Sequence, residues 1–464
     1  MKKALVLSLA LALVGGAAYA NFCATDVVPA ATLLVPYVVV DVDAAGVPDP
    51  TGQTTLFGIT NVSRDAQIVH VTAWDAESIP RIDFDVILSG YDVLQINWRD
   101  FLNGRFDLFD TSKTNFTASA PLTFDPFEWG PDGRGQAGGL TAPQNRSAIT
   151  STQCPTVPPY GNRSDLAATI RSLLTGVLYA RDHAGCDDPN DLRGDVERWP
   201  ETVTDDPIFF YVTADVVQAC NLLFPNNDAY WAPTIATTRN VLIGDVIYLN
   251  AASNYSEAMP AVHIEASTVY EPAYLGFYEE KVTADTNREP LGTAFAFRYA
   301  DDTAAGITSS VILWKNFSEF YSNGDVDDCG SYLYYAWDND ERSLSRTTEP
   351  ISGLPTGGRD PNQFPFETQK VPLSDAYFDL PADYGWMLLV LPPPYFLSTG
   401  WADPSTATAV TDQLYMGWAG LQFVYGSYSA GFEAATMANT HCFPWEIMPQ
   451  LNINNGDIVL YGYE

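Results

Sequence analysis

Carboxylates are the residues of this sequence that most often stand where they could do chemistry. Aspartates recur two apart, as Asp41 and Asp43, Asp83 and Asp85, Asp325 and Asp327, and Asp338 and Asp340. In extended chain that spacing puts both members of a pair on one face. Hard oxygen ligands grouped in this way fit Ca2+, which takes six to eight oxygens at roughly 2.3–2.6 Å. Residues 325–330 carry acids at the first and third places and Gly330 at the sixth, as an EF-hand loop does. The twelfth place is Ala336 instead of Glu. The expected Ca2+ ligands are therefore Asp41, Asp43, Asp325 and Asp327, against the alternative of a solvated acidic face.

A general base is the second chemistry to consider. His263 and Glu265 lie two apart and would share a strand face, a base beside its orienting carboxylate. The alternative is a partly buried, hydrogen-bonded histidine, and His70, flanked by Val69 and Val71, reads as structural. A glycosidase needs two carboxyls roughly 5 Å or 6.5–9.5 Å apart across a cleft. With 57 acids in the chain the sequence nominates no particular pair. Eleven tryptophans within an aromatic content of 13% suit stacking on sugar rings, but β cores consume aromatics too.

Other chemistries lack their residues. Ser427-Tyr428-Ser429-Ala430-Gly431 misses the first glycine of a nucleophile elbow. No glycine-rich phosphate loop of either common spacing is present. With 57 acidic against 23 basic residues and a formal charge of −34, the chain has no cationic footprint for nucleic acid.

The frame that must position these residues is exported and β-rich. Residues 1–20 read as a signal peptide: Lys2 and Lys3, an apolar run, then Ala18-Tyr19-Ala20 as a cleavage site. Its removal takes two lysines and no acid, so the charge of −34 becomes −36. No later apolar run is long enough to span a bilayer as a helix. The expected location is the periplasm, the cell surface or the medium. There the six cysteines, Cys23, Cys154, Cys186, Cys220, Cys329 and Cys442, read as disulfide partners. Fifteen pairings are open, and Cys154 with Cys186 is favoured because both lie in the irregular middle of the chain. Dispersed histidines and cysteines speak against a structural zinc site.

Alternation over Gln67 to Trp74, Ile82 to Leu88 and Tyr91 to Trp98 predicts strands, and residues 21–117 are expected to form an antiparallel β-sandwich. Residues 118–206 are expected to be a Pro/Gly-rich connection holding one amphipathic helix over 165–181, with Ser164 as its N-cap. Residues 207–464 carry further strand patterns, among them Ile208 to Val217, Val241 to Asn250, Ala261 to Val269 and Ile307 to Trp314, and are expected to form one or two more sandwiches.

The runs Tyr211 to Val217 and Cys220 to Pro225, followed by Asn240 to Leu242 and Val262 to Ala266, resemble a pattern in uncharacterised exported proteins of Gram-negative bacteria. That resemblance implies a shared β-rich exported fold and assigns no activity or site residue. The expectation is a mainly β, non-catalytic extracellular or cell-surface protein with a structural or ligand-binding role, stabilised by Ca2+ and prone to self-association. The alternative is a glycan-active hydrolase or carbohydrate-binding protein.

Overall fold

The computed structural model describes residues 27–105, 163–174, 207–266, 277–278, 288–315, 333–340, 343–346, 367–373, 378, 380–390, 416–438, 451–454 and 457–460, save positions 44, 77, 79, 293 and 427. Of these, 56% lie in strands, and only two helices accompany them. The mainly β, antiparallel sandwich architecture is as expected.

Nine strands build the first sandwich: β1 (Thr32–Val40), β2 (Gln53–Asn61), β3 (Gln67–Trp74), β4 (Pro80–Leu88), β5 (Val93–Asn97), β6 (Ile208–Val217), β7 (Leu242–Asn250), β8 (Tyr255–Pro260) and β9 (Val262–Ile264). Sheet 1 has the order β4-β3-β6-β1-β9 and sheet 2 the order β5-β2-β7-β8. Leu33, Val69, Val71, Phe84, Phe210 and Val212 belong to one apolar cluster with Phe57, Ile59, Ile96 and Val246 of the facing sheet. The alternation read from sequence is what fills this interior, because every second side chain of a strand points to the same face.

Strand partnership cuts across the expected boundary at residue 207. β6 lies between β3 and β1, and β7 beside β2, so the strands of residues 208–264 complete the sheets begun by residues 32–97. A local alternation pattern records which face of a strand is apolar, and nothing in it records which remote strand will pair.

The second sandwich uses β10 (Ala294–Ala300), β11 (Ile307–Lys315), β12 (Leu333–Asp338), β13 (Ser343–Arg346), β14 (Thr368–Pro372), β15 (Tyr384–Val390), β16 (Gly417–Tyr425), β17 (Tyr428–Glu433) and β18 (Ala435–Ala438). Sheet 3 runs β13-β12-β15-β10-β18 and sheet 4 runs β14-β11-β16-β17. Phe295, Phe297, Leu313, Tyr334, Met387, Leu389 and Leu421 fill the space between them. A separate hairpin joins β19 (Leu451–Asn454) to β20 (Asp457–Leu460).

The centre of sheet 4, around β11 and the start of β16, is buried on both faces. Val311 and Leu313 face its own sandwich, while Ile312, Trp314 and Trp418 join the apolar cluster of the first. A bulge interrupts β1 between Val35 and Val38, and the Pro36 carbonyl in it accepts the Thr368 hydroxyl of β14. Proline has no N–H to give a ladder, so a bulge is where a central strand tolerates it.

Helix α1 (Trp98–Leu102) begins where sequence reading carried the strand on to Trp98. Asn97 stops β5 because its side chain accepts the Arg99 N–H as an N-cap. Gly104, at φ +67, closes α1 in the left-handed conformation that favours glycine. Helix α2 (Ser164–Leu174) starts close to the expected place, with Ser164 inside it. Residues 175–181 of the expected helix and most of 118–206 lie outside the described residues.

Candidate functional site

The outer face of sheet 1 carries polar residues in register. His70 of β3 pairs across the strands with Asp85 of β4 on one side and Asp215 of β6 on the other. Asp215 in turn pairs with Thr32 of β1. Two residues along, Asp83, Thr72 and Thr213 form a parallel row on the same face. Thr32, His70, Asp85 and Asp215 are all fully buried.

What covers this face is chain from elsewhere. A short 3-10 helix (Asp228–Trp231) places Tyr230 and Trp231 over it, and Tyr278 and Arg288 arrive from farther along. The Asp85 carboxylate lies 2.9 Å from His70 Nδ1 and accepts the Asn221 N–H at 2.8 Å. One Asp215 oxygen accepts the Thr32 hydroxyl. The other accepts the hydroxyls of Tyr230 at 3.0 Å and Tyr278 at 3.1 Å. Arg288, itself fully buried, donates from Nε to Thr32 Oγ1 at 2.7 Å and from a terminal nitrogen to the Thr237 carbonyl at 3.0 Å. Its guanidinium stands 5.4 Å from the centre of the Trp231 ring, a cation–π contact.

The electrostatics of the row follow from burial. Removal from water pushes the Tyr230 and Tyr278 hydroxyls well above the usual phenol range, and the Asp215 charge adds to the effect. Burial also lowers the Arg288 pKa, with Asp215 opposing it. Asp83, nearer the edge of the sheet, has its carboxyl pKa raised, first by burial and then by Asp85, while His70 acts in the other direction.

The residues singled out in sequence go to other tasks. His263 is buried, and its Nε2 accepts the Gly244 N–H at 3.0 Å. That bond occupies the lone pair a general base would use at this nitrogen. Glu265 accepts from Asn240 at 3.2 Å, beyond the end of β9. Asp41 accepts the Gln53 N–H at 2.6 Å, and Asp43 accepts those of Ala45 and Val47, both at 2.9 Å. These are loop-pinning bonds of the kind aspartate makes in turns. Thr51 hydrogen bonds likewise hold Asp49 below the usual carboxylate range. Asp338 accepts the Asp340 N–H at 2.8 Å.

Asp325 and Asp327 lie outside the described residues, as do Cys23, Cys154, Cys186, Cys329 and Cys442. Cys220 is the one cysteine among the described residues, and it is engaged in a disulfide. Among the described residues, no three His, Cys, Asp or Glu side chains converge to hold a metal between them. Nor is any described helix long and apolar enough to cross a membrane.

Sequence reading had set Asp83 and Asp85 on one face and passed over their cross-strand partner. The missed signal is hairpin register: with β3 and β4 joined by a short turn, His70 falls opposite Asp85 and Thr72 opposite Asp83. Asp215, Tyr278 and Arg288 had no comparable local signal. Compared with known proteins, the chain matches no family model, no curated protein and no solved structure.

Proposed function

We propose that this chain is an exported, non-catalytic protein with a structural or ligand-binding role at or beyond the cell surface. One observation carries the reading: among the described residues, the titratable side chains Asp85, His70, Asp215 and Arg288 gather on one sheet face, fully buried and committed largely to internal hydrogen bonds. Groups used in this way specify a fold; an acid–base pair must reach a substrate. The carboxylates of Asp41, Asp43 and Asp49 serve loop geometry in the same spirit.

Disulfides among the six cysteines and the resemblance to exported β-rich proteins of Gram-negative bacteria belong to this reading. Light scattering on the mature protein during a Ca2+ titration tests it. Growth in mass supports an assembling surface component, and a constant monomer leaves the ligand-binding form. Release of reducing ends from a polysaccharide panel would overturn the non-catalytic reading.

Carbohydrate binding is favoured within the ligand-binding form by one surface. Tyr425, Tyr428 and Phe432 stand exposed along the β16–β17 hairpin, with Tyr428 75% exposed. Aromatic side chains left in water on an edge strand are suited to the apolar faces of sugar rings. A glycan array on the wild type and on Tyr428→Ala tests this; binding unchanged by the substitution removes the hairpin from the reading.

A further inference from the structure

The β16–β17 hairpin ends sheet 4 with an apolar face left in water. Register puts Tyr428, Ala430 and Phe432 of β17 on the same face as Leu421 and Val311, which line the core of the second sandwich. Beyond that core the face stays open. Phe432 stacks on Phe423 at 5.1 Å and 17°, yet Phe432 is 42% exposed, Tyr425 57% and Tyr428 75%. The opposite face of β17 is taken: the Ser429 hydroxyl donates to the Ser256 carbonyl of β8 at 3.0 Å, and Glu257 lies against the bare Cα of Gly431. The backbone edge remains. Ala434 N–H bonds the Ala419 carbonyl, so alternation along the unbroken β16–β17 ladder turns the N–H and C=O of Ser429 and Gly431 away from β16. Among the described residues β16 is the one strand that pairs with β17. Edge strands are commonly protected by proline or lysine, and Gly417–Glu433 contains neither.

We propose that β17 is a self-association edge, pairing antiparallel with β17 of a second copy of this chain about a two-fold axis at Ala430. In that register Ser429 and Gly431 exchange the ladder bonds between copies, and Ala430 meets its own counterpart. Tyr428 then stands across from Phe432 of the partner subunit, twice over, and cross-strand aromatic pairs are among the favourable ones in sheets. The strand is self-complementary, and a two-fold contact of like with like closes as a dimer instead of running on as a fibre. Charge argues for a second copy as the occupant. Two chains each with a formal charge of −34 repel one another, so they can meet only where acids are scarce. Gly417–Glu433 carries one charged residue, Glu433, whose carboxylate accepts the Trp418 indole N–H at 2.9 Å. The neighbouring edge strand β8 shows Ser256 and Ala258 to water, both uncharged. A cationic partner, by contrast, would find no exposed acid on this hairpin to bind. The inference rests on the assembling form of the function proposed above and assigns its contact.

Sedimentation velocity on the mature protein in EDTA, over a wide range of concentration, reads the mass. A concentration-dependent dimer is expected without Ca2+, which separates this contact from the Ca2+-driven growth tested above. Ala430→Lys and Ala430→Glu each set like charges face to face across the axis, so each alone should stay monomeric, and mixing the two should restore a dimer holding one chain of each. Tyr428→Ala removes both aromatic pairs and should weaken the dimer about tenfold or more. Ala430 is exposed, and thermal unfolding by circular dichroism confirms that each variant folds. A wild type that stays monomeric at every concentration overturns the proposal. So does a dimer indifferent to Ala430→Lys, or a mixture of the two folded charge variants that remains monomeric. Sugar binding by a monomeric wild type that is lost in Tyr428→Ala would overturn it as well and give the hairpin to a glycan. Should the dimer form as described while the protein releases reducing ends from a polysaccharide, the non-catalytic reading fails and the contact stands.

Discussion

The outer faces of sheet 1 and sheet 3 start from the same strand pattern and end in opposite environments. On sheet 1 the face carries Asp85, His70, Asp215 and Thr32 in one cross-strand row, sealed beneath Tyr230, Trp231 and Arg288. On sheet 3 the corresponding row is Trp337, Trp386 and Arg298, the first two half-buried and Arg298 exposed. The two indoles stack at 3.8 Å and 9°, and Arg298 turns to Asn339 at 3.0 Å. Polar residues under cover are obliged to satisfy one another; on an open face water serves the polar group and an aromatic pair shields itself. Coverage by remote chain, more than strand pattern, decides what a sheet face costs when altered.

The strongest way to break that comparison is Asp215→Ala. It removes the acceptor of Thr32, Tyr230 and Tyr278 and the charge that offsets buried Arg288. A loss of about 3–5 kcal/mol is expected in urea unfolding. Adding Arg288→Met should recover part of it, because the two residues act as a unit. A loss under about 1 kcal/mol, the level of an exposed ion pair, would mean that the covered face behaves like an open one. Asp85→Asn is a milder change on the same row, expected to cost about 1–3 kcal/mol through the bonds to His70 and Asn221.

On the open face, Trp337→Ala should cost about 0.5–1.5 kcal/mol beyond the apolar area it exposes, read as a shift in the urea midpoint. A cost matching that of Asp215→Ala would erase the distinction between the faces. The finest test is a slope with pH at the seam between sandwiches. Glu257 of β8 accepts from Gln422 of β16 at 2.7 Å and from Tyr255 at 2.6 Å, and burial raises its pKa above the ordinary 4.5. The folded state therefore keeps a proton that the unfolded chain releases. Its contribution to stability is full below pH 4.5 and is lost as pH rises through the raised value. Burial raises Glu433 as well, so Glu257→Gln should flatten the slope without abolishing it, as stability measured across mildly acidic pH would show.

Strand identity was legible wherever alternation was strong. The boundaries of β3 and β6 match the periodic runs Gln67 to Trp74 and Ile208 to Val217, because a two-residue repeat is a local consequence of the pleat. Partnership was not legible, since β6 inserts between β3 and β1 from far along the chain. Of the buried row, the His70–Asp85 contact follows from hairpin register, whereas Asp215 meets Thr32 across 183 positions. The pairing of His263 with Glu265 fails for a different reason. Shared facing says nothing about which neighbour fills a hydrogen bond first, and Gly244 and Asn240 do so. The paired aspartates announced hard ligands, yet Asp41 and Asp43 spend their oxygens on nearby backbone N–H groups.

The proline in β1 also bears on how the chain survives its own synthesis. β1 is Thr-Leu-Leu-Val-Pro-Tyr-Val-Val-Val, buried throughout, and its neighbours β6 and β9 and its contact Thr368, 332 positions away, all come later in the chain. Until they are made, the nascent polypeptide carries an apolar strand with nothing to pair with, the kind of segment that zips into aggregates. Pro36 breaks that segment in the middle and withholds a ladder donor from any wrong neighbour. The residue that later forms the joint between two sandwiches is thus first a gatekeeper, and Pro36→Val should yield a chain that aggregates during refolding before it shows any defect in the finished fold.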